Sequence, residues 1–412
     1  MAAQHRRGPI ALGWPRSRGL RAHLQRGEHA AGQTAHRVLR RTAGTARRRG
    51  GAVRHGGQRP GQGSARHRTR HSGVPAARPH RQRTRHQRRL ARPRRLARTT
   101  GGLVFLVVNP TAKGGAATRW PQVRQALLER RPDIDTAAPD SAAEAEKAVR
   151  AAVDAGHDAV IAAGGDGTVG LVLNALMDPA VDRPRDPRIA LGAIGLGSSN
   201  DFHKPAAADR TLAGVPARID LERARSVDVG KATMLLPDGT RRIRYFLLNA
   251  SMGLVAAGNH HFNTAGGLTA WLKPRTTDAA IAYTALRTIA TFDPLRVDIR
   301  GEGWRQHAPV TTVSVLKSVH FAGGMRYDTG VTADDGRFDV NIWSAASRPA
   351  VLRLIAGLYR GRFRASALAR CERSARVDLR PEYPSPLELD GEITVVEGAT
   401  LEVLPRALLV CA

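Results

Sequence analysis

The stretch "AAGGDGTVG", residues 162–170, decides how this chain reads. Four glycines and Asp166 sit at the end of the apolar run "DAVIAA". A continuous apolar run reads as a strand buried on both faces. Bare backbone directly after it marks a place where something must approach closely. The segment "TVGLVLNALMD" then continues as a helix. Upstream, "LVFLVVNP" (103–110) is a second buried strand, followed by the loop "TAKGG". The helix "ATRWPQVRQALLERR" comes next, with apolar Val123, Leu127 and Leu128. In "SAAEAEKAVRAAVDAG" (141–156), Ser141 is the N-cap, Glu144 completes a capping box and Gly156 is the stop. Downstream, "RIALGAIGLGSSND" (188–201) is a further buried strand with a glycine loop. Strands alternating with helices predict an open α/β sheet of parallel strands.

From about residue 219 the pattern changes to short, alternating, β-branched runs. Examples are "SVDVGKATML", "RRIRYFLLNASMG", "VTTVSVLKSV" and "ATLEVLPRALLV", many separated by Asp-Gly or Gly-Gly loops. These predict a mainly antiparallel, sandwich-like β domain with helices inserted near 275–291 and 347–361. The expected organisation is an N-terminal segment 1–101, an α/β domain 102–235 and a β-rich domain 236–412. The last strand is a candidate to return to the first domain.

The formal net charge of +30 is unevenly placed. Residues 1–100 hold 27 Arg, no Lys and one acid, Glu28, whereas the remainder holds 38 basic and 34 acidic groups. That basic segment has no apolar period and cannot offset the entropy of ordering, so it reads as disordered. A wrongly chosen start codon, an arm that binds nucleic acid or anionic lipid, and a transit peptide are its three readings. Its one aromatic, Trp14, gives no platform for stacking bases, so no specific nucleic acid is expected. Two cysteines, Cys371 and Cys411, are too few for a disulfide framework and fit a reducing, cytoplasmic setting. No apolar run is long enough to span a membrane.

Three glycine-rich loops each follow a buried strand: "NPTAKGG" (109–115), "GGDGT" (164–168) and "GLGSSND" (195–201). In an open parallel sheet, ligands bind outside the carboxyl ends of the strands. Three such loops at one edge predict a nucleotide-phosphate site, since bare N–H groups and helix N-termini attract anions. None is a Walker A loop or a full dinucleotide fingerprint. Asp166 would repel phosphate by itself. It reads as the holder of a divalent cation that bridges the phosphates, as a group polarising the attacking hydroxyl, or as part of an Asp-Gly turn.

"VVNPTAKGG", "GGDGTV" and "GLGSSNDF" together resemble the catalytic domain of the diacylglycerol kinase and sphingosine kinase superfamily, the soluble bacterial lipid kinases in particular. "RSVDVG", "FLLNASMG", "FAGGMRYDTGVTADDGRFDV" and "LELDGE" continue the resemblance over residues 103–412. It implies an NAD kinase-like first domain, ATP as donor, Mg²⁺ and a lipid hydroxyl as acceptor. Diacylglycerol going to phosphatidic acid is the first expectation; sphingoid bases, ceramide and undecaprenol are the alternatives. The ATP-contacting positions implied are Asn109, Pro110, Thr111, Ala112, Lys113, Gly164, Gly165, Asp166, Gly167, Thr168, Ser198, Asn200 and Asp201, with Thr136 near another. Asp390 and Glu392 match a late acidic motif in which the Glu is the general base, and Asp166 joins them as catalytic. Asp335 matches a position that binds a structural Mg²⁺, with Thr332 and the carbonyl of Arg337 nearby. "DGE" also reads as a plain hairpin turn.

The chain departs from the family pattern in Gly170 and Leu171, which stand where Asn and Glu are usual. Ser198 keeps the hydroxyl of a usual Thr, and Lys204 is left as the basic group after "NDFH". On the acceptor side, Trp271, Leu272, Ile281, Leu286 and Ile289 lie among basic Lys273, Arg275 and Arg287. A helix of that kind reads either as a peripheral contact with the inner face of an anionic membrane or as a cap on the β core. A homodimer is a further expectation. The rival readings are an NAD kinase-like enzyme acting on a soluble nucleotide and a nucleic-acid-binding protein working through its arm.

Overall fold

Strands β1 (Val104–Val108), β3 (Ala159–Gly164) and β4 (Ala190–Gly195) are apolar throughout because both of their faces are covered. Along β1, Val104, Leu106 and Val108 face one core while Val107 faces another. Helix α1 (Ala116–Arg130) covers the first face through Val123 and Leu127. Helices α2 (Ala142–Asp154) and α3 (Asp166–Leu176) cover the second. The three strands pair in parallel, and a short edge strand, β2 (Asp135–Ala137), extends the sheet beside β1. The sequence offers no strand signal for β2, which is three residues long and largely exposed.

This computed structural model describes residues 102–112, 115–205, 210–264, 277–322, 324–344 and 346–412, with the backbone alone at 262–264 and 277–282. The Arg-rich segment, Lys113, Trp271, Leu272, Lys273, Arg275 and the side chain of Ile281 lie outside the described residues. All described residues fall in one compact unit.

Beyond β4 the chain adds β5 (Val215–Arg218), then the hairpin β6 (Arg225–Leu235) and β7 (Arg241–Phe246). The boundary expected between residues 235 and 236 therefore falls inside this antiparallel hairpin. An Asp-Gly turn looks the same in sequence whether it joins domains or strands. Next come β8 (Asn249–Gly253), α4 (Leu254–Thr264) and α5 (Thr277–Thr291). They are followed by β9 (Val297–Gly301), β10 (Trp304–Gln306) and β11 (Val310–Leu316). Strand β12 (Phe338–Ser344), helix α6 (Arg348–Tyr359) and strands β13 (Ala369–Ser374), β14 (Arg376–Pro381), β15 (Ser385–Leu389), β16 (Glu392–Val396) and β17 (Gly398–Val410) complete the chain.

One six-stranded antiparallel sheet runs β13-β12-β11-β8-β15-β16. It packs on a larger sheet that runs β10-β9-β14-β17-β4-β3-β1-β2, with β6 also paired to β17. The layer between them is apolar and includes Phe246, Phe338, Val313, Leu379 and Leu401. The long β17 joins the halves: it lies antiparallel to β6 and β14, then parallel to β4 through Leu409 and Val410.

Candidate active site

The glycine loops meet at the carboxyl edge of the parallel strands. Asn109 closes the end of β1 with its N–H on the Ala163 carbonyl at 2.8 Å. Its Oδ1 accepts from the Thr111 N–H and hydroxyl, and its Nδ2 reaches Thr168 Oγ1 at 3.3 Å. Leu196 N–H donates to the Gly164 carbonyl at 2.8 Å, locking the second loop to the third. A Cβ on Gly197 would stand 2.4 Å from the Cα of Gly165, so the two backbones touch where any side chain would part them.

Asp166 opens α3. Its two oxygens accept the N–H groups of Asp201 at 3.1 Å and Phe202 at 3.0 Å. It thereby caps the short 3₁₀ turn Asp201–His203 and clamps "GGDGT" to "GSSND". Burial pushes its carboxyl above the ordinary range, and those two bonds offset this only in part. Asn200, at φ +50°, takes the Gly197 N–H at 3.0 Å and donates to the Gly197 carbonyl at 2.8 Å. Asn200 and Asp201 thus shape the loop through their own bonds. Lys204, the basic group after "NDFH", is paired with Asp201. Ser198 is exposed at the loop crest, and Thr136 is exposed on β2, in register with Leu106.

The acidic hairpin comes from the other half of the chain. Asp390 and Gly391 have φ of +47° and +91°, the two left-handed residues of a tight hairpin between β15 and β16. Asp390 is also an anchor: it accepts from Leu247 N at 2.7 Å and from Leu248 N and Asn249 N at 2.9 Å. Burial raises its carboxyl to about 7 against the pull of these bonds, and nearby Asp166 adds to the rise. Glu392 is exposed at the start of β16. One small cavity is lined by Gly167, Gly170 and Asn174 of α3 and by Arg244, Asp390 and Glu392. "DGE" is therefore a hairpin turn, as one of its two readings expects.

Three residues in this region were not singled out by sequence. Asn174 links α3 to β7: its Nδ2 donates to the Gly170 and Tyr245 carbonyls at 2.8 and 2.9 Å, and its Oδ1 accepts from Tyr245 N at 2.9 Å. An Asn inside the otherwise apolar "TVGLVLNALM" was the available signal. Arg244 brings positive charge to the cavity from β7, and no local pattern marks it. Buried Glu388 accepts from Ser251 Oγ at 2.6 Å, and burial pushes its carboxyl up.

The implied Mg²⁺ loop is occupied differently. Asp335 Oδ1 and the Arg337 carbonyl both accept from the ammonium of Lys317, and Thr332 is exposed. These residues do not fit a divalent ion. Among the described residues, no group of three or more His, Cys, Asp or Glu is arranged to hold a metal. On the acceptor side, Ile289 of α5 packs on the core beneath α6, whereas Leu286 is 60% exposed beside exposed Arg287. No helix among the described residues is long and apolar enough to cross a membrane.

Comparison with known proteins matches two segments of the chain. Residues 103–232 match the diacylglycerol kinase catalytic domain, and residues 251–412 match the YegS C-terminal NAD kinase beta sandwich-like domain. A Pseudomonas fluorescens protein named "Probable lipid kinase YegS-like" is 26% identical over 288 residues, covering 69% of this chain and 88% of that protein. A diacylglycerol kinase of Bacillus subtilis is 25% identical over 288 residues, covering 70% of this chain and 88% of its own. The crystal structure of a diacylglycerol kinase from Bacillus anthracis matches the fold with a TM-score of 0.54 at 21% identity, over 76% of this chain and 98% of that one. Fold and matched domains together define an enzyme, a kinase of the lipid kinase class. The chain thus carries the diacylglycerol kinase catalytic domain followed by the YegS C-terminal domain, and the kinase class implies ATP as its phosphoryl donor.

Proposed function

We propose that this kinase transfers the γ-phosphoryl group of Mg–ATP to the hydroxyl of a membrane lipid, diacylglycerol before other lipid alcohols. The observation that carries the reading is the cavity where Gly167 of the glycine cradle faces Asp390 and Glu392. The phosphates lie along Asn109–Ala112, Gly164–Thr168 and Ser198, with Lys113 adding charge. Asn200 and Asp201 hold the third loop in shape, and Thr136 stands at the sheet edge nearby. Residues 102–235 carry the nucleotide and 236–412 the lipid. A magnesium ion bound with the nucleotide would offset the phosphate charge. Asp166 has acceptor positions left beyond its two N–H bonds, so it can face that ion.

The lipid oxygen attacks the γ-phosphorus as the bond to the ADP oxygen breaks. Its proton passes to Glu392, whose exposure at the hairpin tip lets it meet an incoming hydroxyl. Arg244 lies across the same cavity, where charge builds on the transferring group. Asp390 positions Glu392 through its three backbone bonds.

The lipid comes from a membrane surface. Helix α6 exposes Leu352 and Tyr359, 47% and 61%, beside exposed Arg353, Arg360 and Arg362, and α5 adds Leu286 and Arg287. Apolar tips ringed by arginine suit peripheral contact with anionic lipid at the cytoplasmic face.

The deciding experiment is an ATP phosphotransfer assay against a lipid panel with NAD alongside. Phosphatidic acid from diacylglycerol is the expected product. Turnover of another lipid alcohol alone would change the acceptor, and transfer to NAD with none to lipid would overturn the reading.

A further inference from the structure

Lys317 follows directly after β11 and turns its side chain inward until 1% of it is exposed. An ammonium has three donors. Here they go to Asp228 Oδ2 at 2.8 Å, Asp335 Oδ1 at 3.0 Å and the Arg337 carbonyl at 2.9 Å. Asp228 has a fully buried side chain and binds backbone from two further segments: Oδ2 takes Gly336 N at 2.7 Å and Oδ1 takes Arg406 N at 2.8 Å. The other oxygen of Asp335 pairs with Arg373, which also holds Asp339 at 3.0 Å. Burial alone would raise the Asp335 carboxyl, but the Arg337 N–H, Lys317 and Arg373 outweigh it and hold it below the ordinary range.

A divalent ion at Asp335 and the Arg337 carbonyl would need the space that Nζ fills. Placed beside it, the ion would meet a cation already in contact with the same oxygens. We infer that Lys317 is a built-in cation: its ammonium stands in place of a structural divalent ion and fixes the 332–337 loop to β6 and β17 without metal. The consequence reaches the active site. The N–H groups of Lys317 and Ser318 both bond the Leu248 carbonyl, at 2.8 and 2.9 Å, and Leu248 N–H bonds Asp390. The lysine therefore backs the segment that holds the acidic hairpin, and does so at any free magnesium concentration. The inference stands whichever lipid is the acceptor.

Thermal unfolding of the full chain without nucleotide tests it, in excess EDTA and across a magnesium titration. The wild-type Tm is expected to stay the same throughout. Lys317→Ala leaves two carboxylates facing each other, and its Tm in EDTA is expected to fall by roughly 10 °C, the scale for removing one partner of a buried ion pair. Magnesium is then expected to restore part of that loss in Lys317→Ala, and none of it once Asp335→Asn is added. A wild-type Tm that rises with magnesium, with the rise abolished by Asp335→Asn, would overturn the inference, as would a wild-type Tm in Lys317→Ala. If the alanine variant does not fold, the comparison of wild type with Asp335→Asn decides alone.

Discussion

Asp390 is pulled in opposite directions by its surroundings. Three N–H bonds favour its charged form, yet burial dominates and sets its carboxyl at about 7. An Asp in an unfolded chain titrates near about 4. Between those values the folded chain keeps a proton that the unfolded chain has released, so stability falls as pH rises through that window. Asp390→Asn is expected to flatten this slope in a denaturant series; an unchanged slope would place its origin in another group. Glu392 is the residue on which the chemistry turns. Glu392→Gln is expected to lower kcat by roughly 10²–10⁴, the range for losing general-base catalysis, with an unchanged circular dichroism spectrum. Wild-type turnover in that variant would remove Glu392 from the base role. At this scale the sequence named Asp166, Asp390 and Glu392 from their motifs. It gave no sign that Lys317 would fill the Asp335 loop, because Lys317, Asp228 and Asp335 lie on three separated segments.

Elements with local causes were legible. Ser141 Oγ accepts Glu144 N–H at 3.2 Å as the capping pattern requires, although the Glu144 carboxylate returns to Asp140 N and not to Ser141. Ser141→Ala is expected to cost about 1 kcal/mol in chemical denaturation, with activity intact. The glycine loops read as loops because each ends an apolar strand. Their mutual contact was not legible. Gly165 and Gly197 approach because β3 and β4 are paired along their whole length, placing the two loops side by side. Gly197→Ala forces those loops apart and is expected to weaken ATP binding in a fluorescent nucleotide titration, at a stability cost of roughly 1–3 kcal/mol. Unaltered nucleotide affinity would show that the cradle tolerates the separation. Strand β2 escaped notice because three exposed residues at a sheet edge carry no burial pattern.

At the scale of the molecule, β17 is the decisive element. It belongs to the sandwich by its first residues and to the parallel sheet by its last, where Cys411 N–H bonds the Leu191 carbonyl at 2.9 Å. Removing residues 409–412 deletes the buried Val410 and Cys411 and uncovers the edge of β4 at Ala190 and Leu191. A loss of about 3 kcal/mol or more is expected from those side chains, read as a lower denaturation midpoint. A midpoint equal to that of the full chain would show that β4 closes without this strand.

Residue chemistry, hydrophobic period and turn signals determined the α/β and antiparallel halves and the three glycine loops, and the resemblance to a known family added the acidic motif, because each is written in consecutive residues. The tertiary structure decided the rest. It brought Asp390 and Glu392 to the cavity beside Gly167, turned Asp166 into a clamp on the neighbouring loop, and placed an ammonium where the family pattern implied a metal. Each of these depends on which distant strands become neighbours, and long-range pairing is set by the burial of whole faces, not by any one stretch of sequence.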